Sequence, residues 1–128
     1  MGKVKINLVT IPHEKQAYPT CGNWIFEDGG SIVIEVSETG NEDYAFLVGI
    51  HEMIESWLCR KRGITEESVT EFDIAYEAKR PEGDDSEPGD DPAAPYWKEH
   101  QFATQIERQV AEALGVDWSK YEETLYAL

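Results

Sequence analysis

Residues 31–62 read SIVIEVSETGNEDYAFLVGIHEMIESWLCRKR, and this stretch decides the fold class. Its first seven residues are β-branched at Ile32, Val33, Ile34 and Val36, the composition of a strand. Glu38, Thr39, Gly40 and Asn41 break that pattern. From residue 42 the apolar positions recur at helical spacing. Gly63 stops the helix, with Arg60, Lys61 and Arg62 in its last turn, where the helix dipole favours cations.

Upstream, residues 3–11 alternate, placing Val4, Ile6, Leu8 and Thr10 on one side of a strand that Pro12 ends. Residues 23–27 form a second short strand with Trp24 and Phe26 on one side. Asp28, Gly29 and Gly30 then predict a hairpin into the strand over 31–37. Downstream, Thr65 is a candidate N-cap, and the helix behind it runs to Lys79 with an inner stripe of Val69, Phe72 and Tyr76. A third helix over residues 96–114 is stopped by Gly115, and a short one follows over 118–126. Strands followed by helices predict an α+β fold: a three-stranded antiparallel sheet, then three or four helices, in a single domain over residues 1–128. Residues 80–95 read as a flexible loop, because Glu82, Asp84, Asp85, Glu87, Asp90 and Asp91 crowd among four prolines and cannot bury a core.

The net charge of −15 argues against direct contact with nucleic acid or an anionic membrane, both of which need Lys and Arg. Two cysteines, Cys21 and Cys59, make no disulfide framework and no thiolate zinc site. The N-terminus lacks the apolar run of a signal peptide, and no segment approaches the roughly 20 apolar residues that span a bilayer. The expected compartment is the cytoplasm.

The candidate chemistry lies in His51, Glu52 and Glu55. His51 and Glu55, four residues apart, project from one helix face and could reach one metal ion, with Glu52 beside them as a candidate general base. On a helical wheel of about 100° per residue, Leu47, Ile50, Met53, Ile54, Trp57 and Leu58 form the apolar arc, and His51 falls at its rim. The third helix adds a second cluster. Phe102, Ala103, Ile106, Val110 and Leu114 make its arc, and both His100 and Glu107 share that buried face. A buried carboxylate needs a partner: a metal ion, a histidine or an arginine. Of His100 and Glu107, one could bind the ion and the other orient a ligand, or Glu107 could pair with a basic side chain or with His51 itself. Asp73, at the edge of the second helix's stripe, could orient a histidine.

The order His51-Glu52-x-x-Glu55 on a helix, preceded by the strand over 31–37, resembles the zincin-like metallopeptidases across roughly residues 31–60. The resemblance implies a divalent cation, zinc first, with His51 as ligand, Glu52 as general base and a substrate-binding strand before the helix. Glu55 stands where that family has its second histidine, so His100 would supply the missing nitrogen. The expected function is a metal-dependent hydrolase acting on a peptide or another amide or ester. Two alternatives use the same residues differently. One is a non-catalytic, phage-derived module that binds a protein or peptide partner around a structural His/Glu cluster. The other is an acidic mimic of DNA.

Overall fold

The computed structural model describes residues 3–84 and 86–128. Three strands precede the long helices: β1 (Ile6–Ile11), β2 (Gly22–Phe26) and β3 (Ile32–Ser37). Then come α1 (Glu42–Lys61), α2 (Glu66–Lys79), α3 (Trp97–Leu114) and α4 (Trp118–Tyr126), with single 3-10 turns at His13–Lys15 and Pro88–Asp90. The α+β class is as expected.

The sheet corrects one expectation, because it is mixed rather than antiparallel. β2 and β3 form the anticipated antiparallel hairpin, with Gly22 opposite Val36 and Phe26 opposite Ile32. Its turn uses Gly29 and Gly30 at φ +87° and +89°, a region that penalises a β-carbon. β1, however, pairs with the far edge of β3 in parallel register, Ile6 opposite Ile32 and Ile11 opposite Ser37. The most β-branched strand thus takes the middle, with Ile32, Ile34 and Val36 fully buried. β1 is left as an edge with Leu8 and Val9 largely exposed, so its alternation marked a strand without marking a buried face.

α1, α2 and α4 each start at a side-chain cap. Asn41 accepts from the Asp43 and Tyr44 amides at 2.9 and 3.1 Å, Thr65 from Ser68, and Asp117 from Lys120. Glycines in the left-handed region follow α1 and α3: Gly63 and Gly115, both at φ +72°. α1 lies across the sheet and makes its most extensive helix contact with α3. Gly22 permits the close approach of β2. A β-carbon there would stand 2.7 Å from Val48 Cγ1 and 2.8 Å from Glu52 Cγ. No described helix is long and apolar enough to cross a membrane.

The buried faces are shifted from the apolar arcs of the wheel, although α3 keeps His100, Ala103 and Glu107 inside as expected. On α1 the fully buried line is Leu47, Val48, His51, Glu55, Ser56 and Cys59, whereas Ile50, Met53, Ile54, Trp57 and Leu58 are only partly covered. On α3 it is Glu99, His100, Ala103, Glu107 and Ala111, with Phe102 and Leu114 exposed. His51 is therefore not at the rim of the core. The two histidines and two glutamates occupy its centre, where α1 faces α3.

Candidate metal centre

Three ligand atoms from two helices converge between α1 and α3. His51 Nε2 lies 3.0 Å from Glu55 Oε2 and 3.1 Å from His100 Nδ1, and Glu55 Oε2 is 3.0 Å from His100 Nδ1. The three residues are 6, 4 and 6% exposed, so little water reaches them. Together they form a His/Glu/His group that could hold a metal ion.

With Glu55 ionised, protons alone cannot satisfy this triangle. Each ring nitrogen either carries a hydrogen or presents a lone pair, and an ionised carboxylate only accepts. If both rings carry hydrogens here, two donors face each other at 3.1 Å. If only one does, the other nitrogen and Glu55 Oε2 face each other as two acceptors at 3.0 Å. One contact is always between like groups, and like groups in a dry interior are costly. A cation at the centre would serve all three atoms at once. The separations are within a few tenths of an ångström of the roughly 3.3 Å between ligands of a tetrahedral ion with bonds of about 2.0–2.1 Å.

The surrounding residues aim these atoms inward. His51 Nδ1 donates to Glu107 Oε1 at 2.8 Å, and Tyr121 donates to Glu107 Oε2 at 2.5 Å. Because Nδ1 donates, the ring offers its Nε2 lone pair to the triangle once it gives up its second proton. Trp24 Nε1 donates to Glu55 Oε1 at 3.0 Å, leaving Oε2 turned towards the two histidines. This is the outer support that metal-binding histidines and carboxylates usually have. Tyr121→Phe and Glu107→Gln are each expected to weaken zinc binding about 10- to 100-fold, measured by competition with a chromophoric chelator. Unchanged affinity in both would reduce Glu107 to a packing role.

The same network sets the ionisation of the metal-free cluster. Burial alone would lower the imidazole of His51, but hydrogen bonds with Glu107 and Glu55 outweigh it and lift the group to about 10. Burial would raise Glu55, but its bonds to His100 and His51 hold it well below the usual carboxylate range. His100 is lifted too: burial opposes protonation, while Asp90, Glu55 and Glu87 favour it.

Glu52 follows His51 on α1 and lines a cavity of about 530 Å³ that His51, Glu55 and His100 also line. Burial and the neighbouring Glu55 raise its carboxyl to about 8, against the pull of His51 and His100. Asp73 is buried as a helix-edge residue rarely is, but it contacts no histidine. It accepts from Tyr18 at 2.8 Å and from Tyr96, which pins α2 to the segment before β2 and to the start of α3. Burial lifts it to about 6, and the two tyrosine bonds limit the rise. His13 is paired with Ser37 Oγ at 2.8 Å, and Cys59 is a fully buried core residue.

Four groups around the centre carried no local sequence signal: Trp24, Tyr121, Glu87 and Asp90. The two aromatics sit at strand and helix positions where a core residue is expected in any case. The two acids belong to the loop that composition marks as solvated. Comparison with protein-family models, with curated proteins and with solved structures finds no match to this chain.

Proposed function

We propose that the chain is a metal-dependent hydrolase whose ion, zinc first, is held by His51, Glu55 and His100. The observation that carries this reading is the triangle of inward-facing ligand atoms that, with Glu55 ionised, no arrangement of protons satisfies. Two histidines and one carboxylate with room for another ligand suit catalytic zinc, and would also hold Mn²⁺ or Fe²⁺. Bound there, the cation would polarise a substrate carbonyl and make a neighbouring water more acidic.

The chain's own residues supply the rest. Glu52, partly buried on the wall of the shared cavity, would take a proton from the attacking water and return it to the leaving group. A carboxyl raised to about 8 keeps its proton at neutral pH, and a nearby cation would draw it back towards the working range. Glu107, anchored by Tyr121, holds His51 in one tautomer throughout. The likeness to zincin-like metallopeptidases favours a peptide substrate. β3 cannot hold that substrate as an added strand, because both of its edges are already paired. β2 is the antiparallel edge strand, and Gly22, Asn23 and Trp24 line the cavity. An extended peptide would approach that edge at Trp24, because the outward amides of Gly22 and Phe26 already donate to Thr20 and Glu66.

The test is hydrolysis of a quenched fluorescent peptide library by the zinc-loaded chain. Glu52→Gln is expected to lower turnover by about 10²- to 10⁴-fold while zinc content stays unchanged. Cleavage by Glu52→Gln at the unaltered rate would exclude Glu52 as the base. No cleavage by zinc-loaded chain would favour a second reading, a structural ion clamping α1 to α3, which the near-complete burial of all three ligands also fits.

A further inference from the structure

His100 has two ring nitrogens, and the centre described above uses only Nδ1. Its Nε2 is buried, in a side chain 8% exposed, and has no hydrogen-bond partner. It points at two carboxylates, lying 3.3 Å from Glu87 Oε2 and 3.3 Å from Asp90 Oδ1. We propose that Glu87, Asp90 and His100 Nε2 form a second divalent-cation site, joined to the first through the His100 ring.

The geometry favours a cation over a simple orienting bond. A carboxylate that orients a metal-bound histidine accepts one aligned hydrogen bond at about 2.7–2.9 Å. Here two carboxylates lie at equal and longer distance from the nitrogen, and neither contact is aligned as a hydrogen bond. The value of 3.3 Å instead matches the edge of a coordination tetrahedron with bonds of about 2.0–2.1 Å.

The backbone is shaped for this approach. Glu87, Gly89 and Asp90 belong to the Pro88–Asp90 turn and the residue that caps it. Gly89 is buried flat against the imidazole, and a β-carbon there would stand 2.4 Å from Cγ and 2.5 Å from Nδ1 of His100. Only glycine lets the turn sit so close, with both carboxylates 3.3 Å from the nitrogen. Asp90 Oδ1 also accepts from Gln101 at 3.0 Å, which fixes its rotamer from α3. The side chains of Glu87 and Asp90 are 44 and 54% exposed, so an ion could enter from solvent and keep water in its open positions. One imidazole and two carboxylates suit Zn²⁺ or Mn²⁺.

The acidic loop then has a task. An ion at this site would tie residues 87–90 to α3, and so hold one wall of the cavity that also contains Glu52. When both sites are filled, the His100 ring binds through both nitrogens and its last N–H proton leaves to solvent. The proposal shares His100 with the first centre and rests on that reading.

Calorimetric titration of metal-stripped full chain with Zn²⁺, checked by elemental analysis after desalting, separates the two. Two equivalents in the unaltered chain and one in Glu87→Gln/Asp90→Asn would support the second site. Both substitutions keep volume at exposed positions, and circular dichroism confirms the fold. One equivalent in both proteins overturns the second site and leaves the first standing. Two equivalents in both proteins overturn the assignment to Glu87 and Asp90. None in either overturns both sites together.

Discussion

His51→Ala is expected to lose both the central zinc and a large part of the fold's stability. The substitution removes one of three protein ligands. Binding energies of about 10–16 kcal/mol shared over four ligands make one ligand worth a several-hundredfold change in affinity. It also strands two buried carboxylates, because Glu55 and Glu107 both bond to His51. Removing one partner of a buried charged pair costs about 3–5 kcal/mol, a large share of the total stability of a domain this size. Glu55→Gln separates the two effects: it keeps the volume and a carbonyl for Trp24 while removing the anionic oxygen. That variant is expected to fold, with a weakened ion site. Denaturant unfolding and chelator competition on both variants check this. Zinc binding as tight in His51→Ala as in the unaltered chain would remove His51 from the site.

The second large effect is an opposite response to pH with and without zinc. In the metal-free chain, His51 is raised from 6.5 to about 10. Its contribution to stability is complete below pH 6.5 and is lost as pH climbs towards 10. Glu52, raised from 4.5 to about 8, acts in the same direction, since its buried carboxyl resists ionisation. Glu55 acts oppositely: its depressed value adds stability above 4.5 that disappears as pH falls. The metal-free protein should therefore be most stable near pH 4.5, lose stability slowly above that through Glu52, and lose it faster above pH 6.5 as His51 joins. Zinc reverses the trend, because it binds only deprotonated imidazoles and competes with those same protons. The rise in melting temperature on adding zinc should grow from pH 6 to pH 8. Thermal scans across this range decide the matter. A zinc increment that does not change with pH would mean that the ion binds outside the histidine cluster.

Much of the centre was legible in the sequence, because its signal was a violation of pattern. His51 and Glu55 sit one turn apart on a helix, and His100 and Glu107 interrupt the apolar face of another. Charged residues where a core is due point to partners, and the two clusters do meet. What the wheel could not show was depth. It ranked faces by apolar content, so it placed Ile54 and Trp57 inside and His51 at the rim. The fold inverts this order because the outer atoms of the polar cluster find partners in Trp24, Glu107 and Tyr121, and Ala103 and Ala111 are buried on the same face of α3. The parallel pairing of β1 was equally hidden, since local alternation records a strand but not which edge it joins. Glu87 and Asp90 were masked by their company: among so many acids and prolines, two ligands look like solvated charge. Asp73 was singled out for its position on α2 and is buried, yet its partners are tyrosines from distant segments.

The central claim is that one cation sits between His51, Glu55 and His100. Diffraction from crystals of the zinc-loaded chain, recorded at the zinc absorption edge, tests it most directly. The expected result is an anomalous peak about 2.0–2.2 Å from His51 Nε2, Glu55 Oε2 and His100 Nδ1 together. A map with no peak among those three atoms at saturating zinc would contradict it.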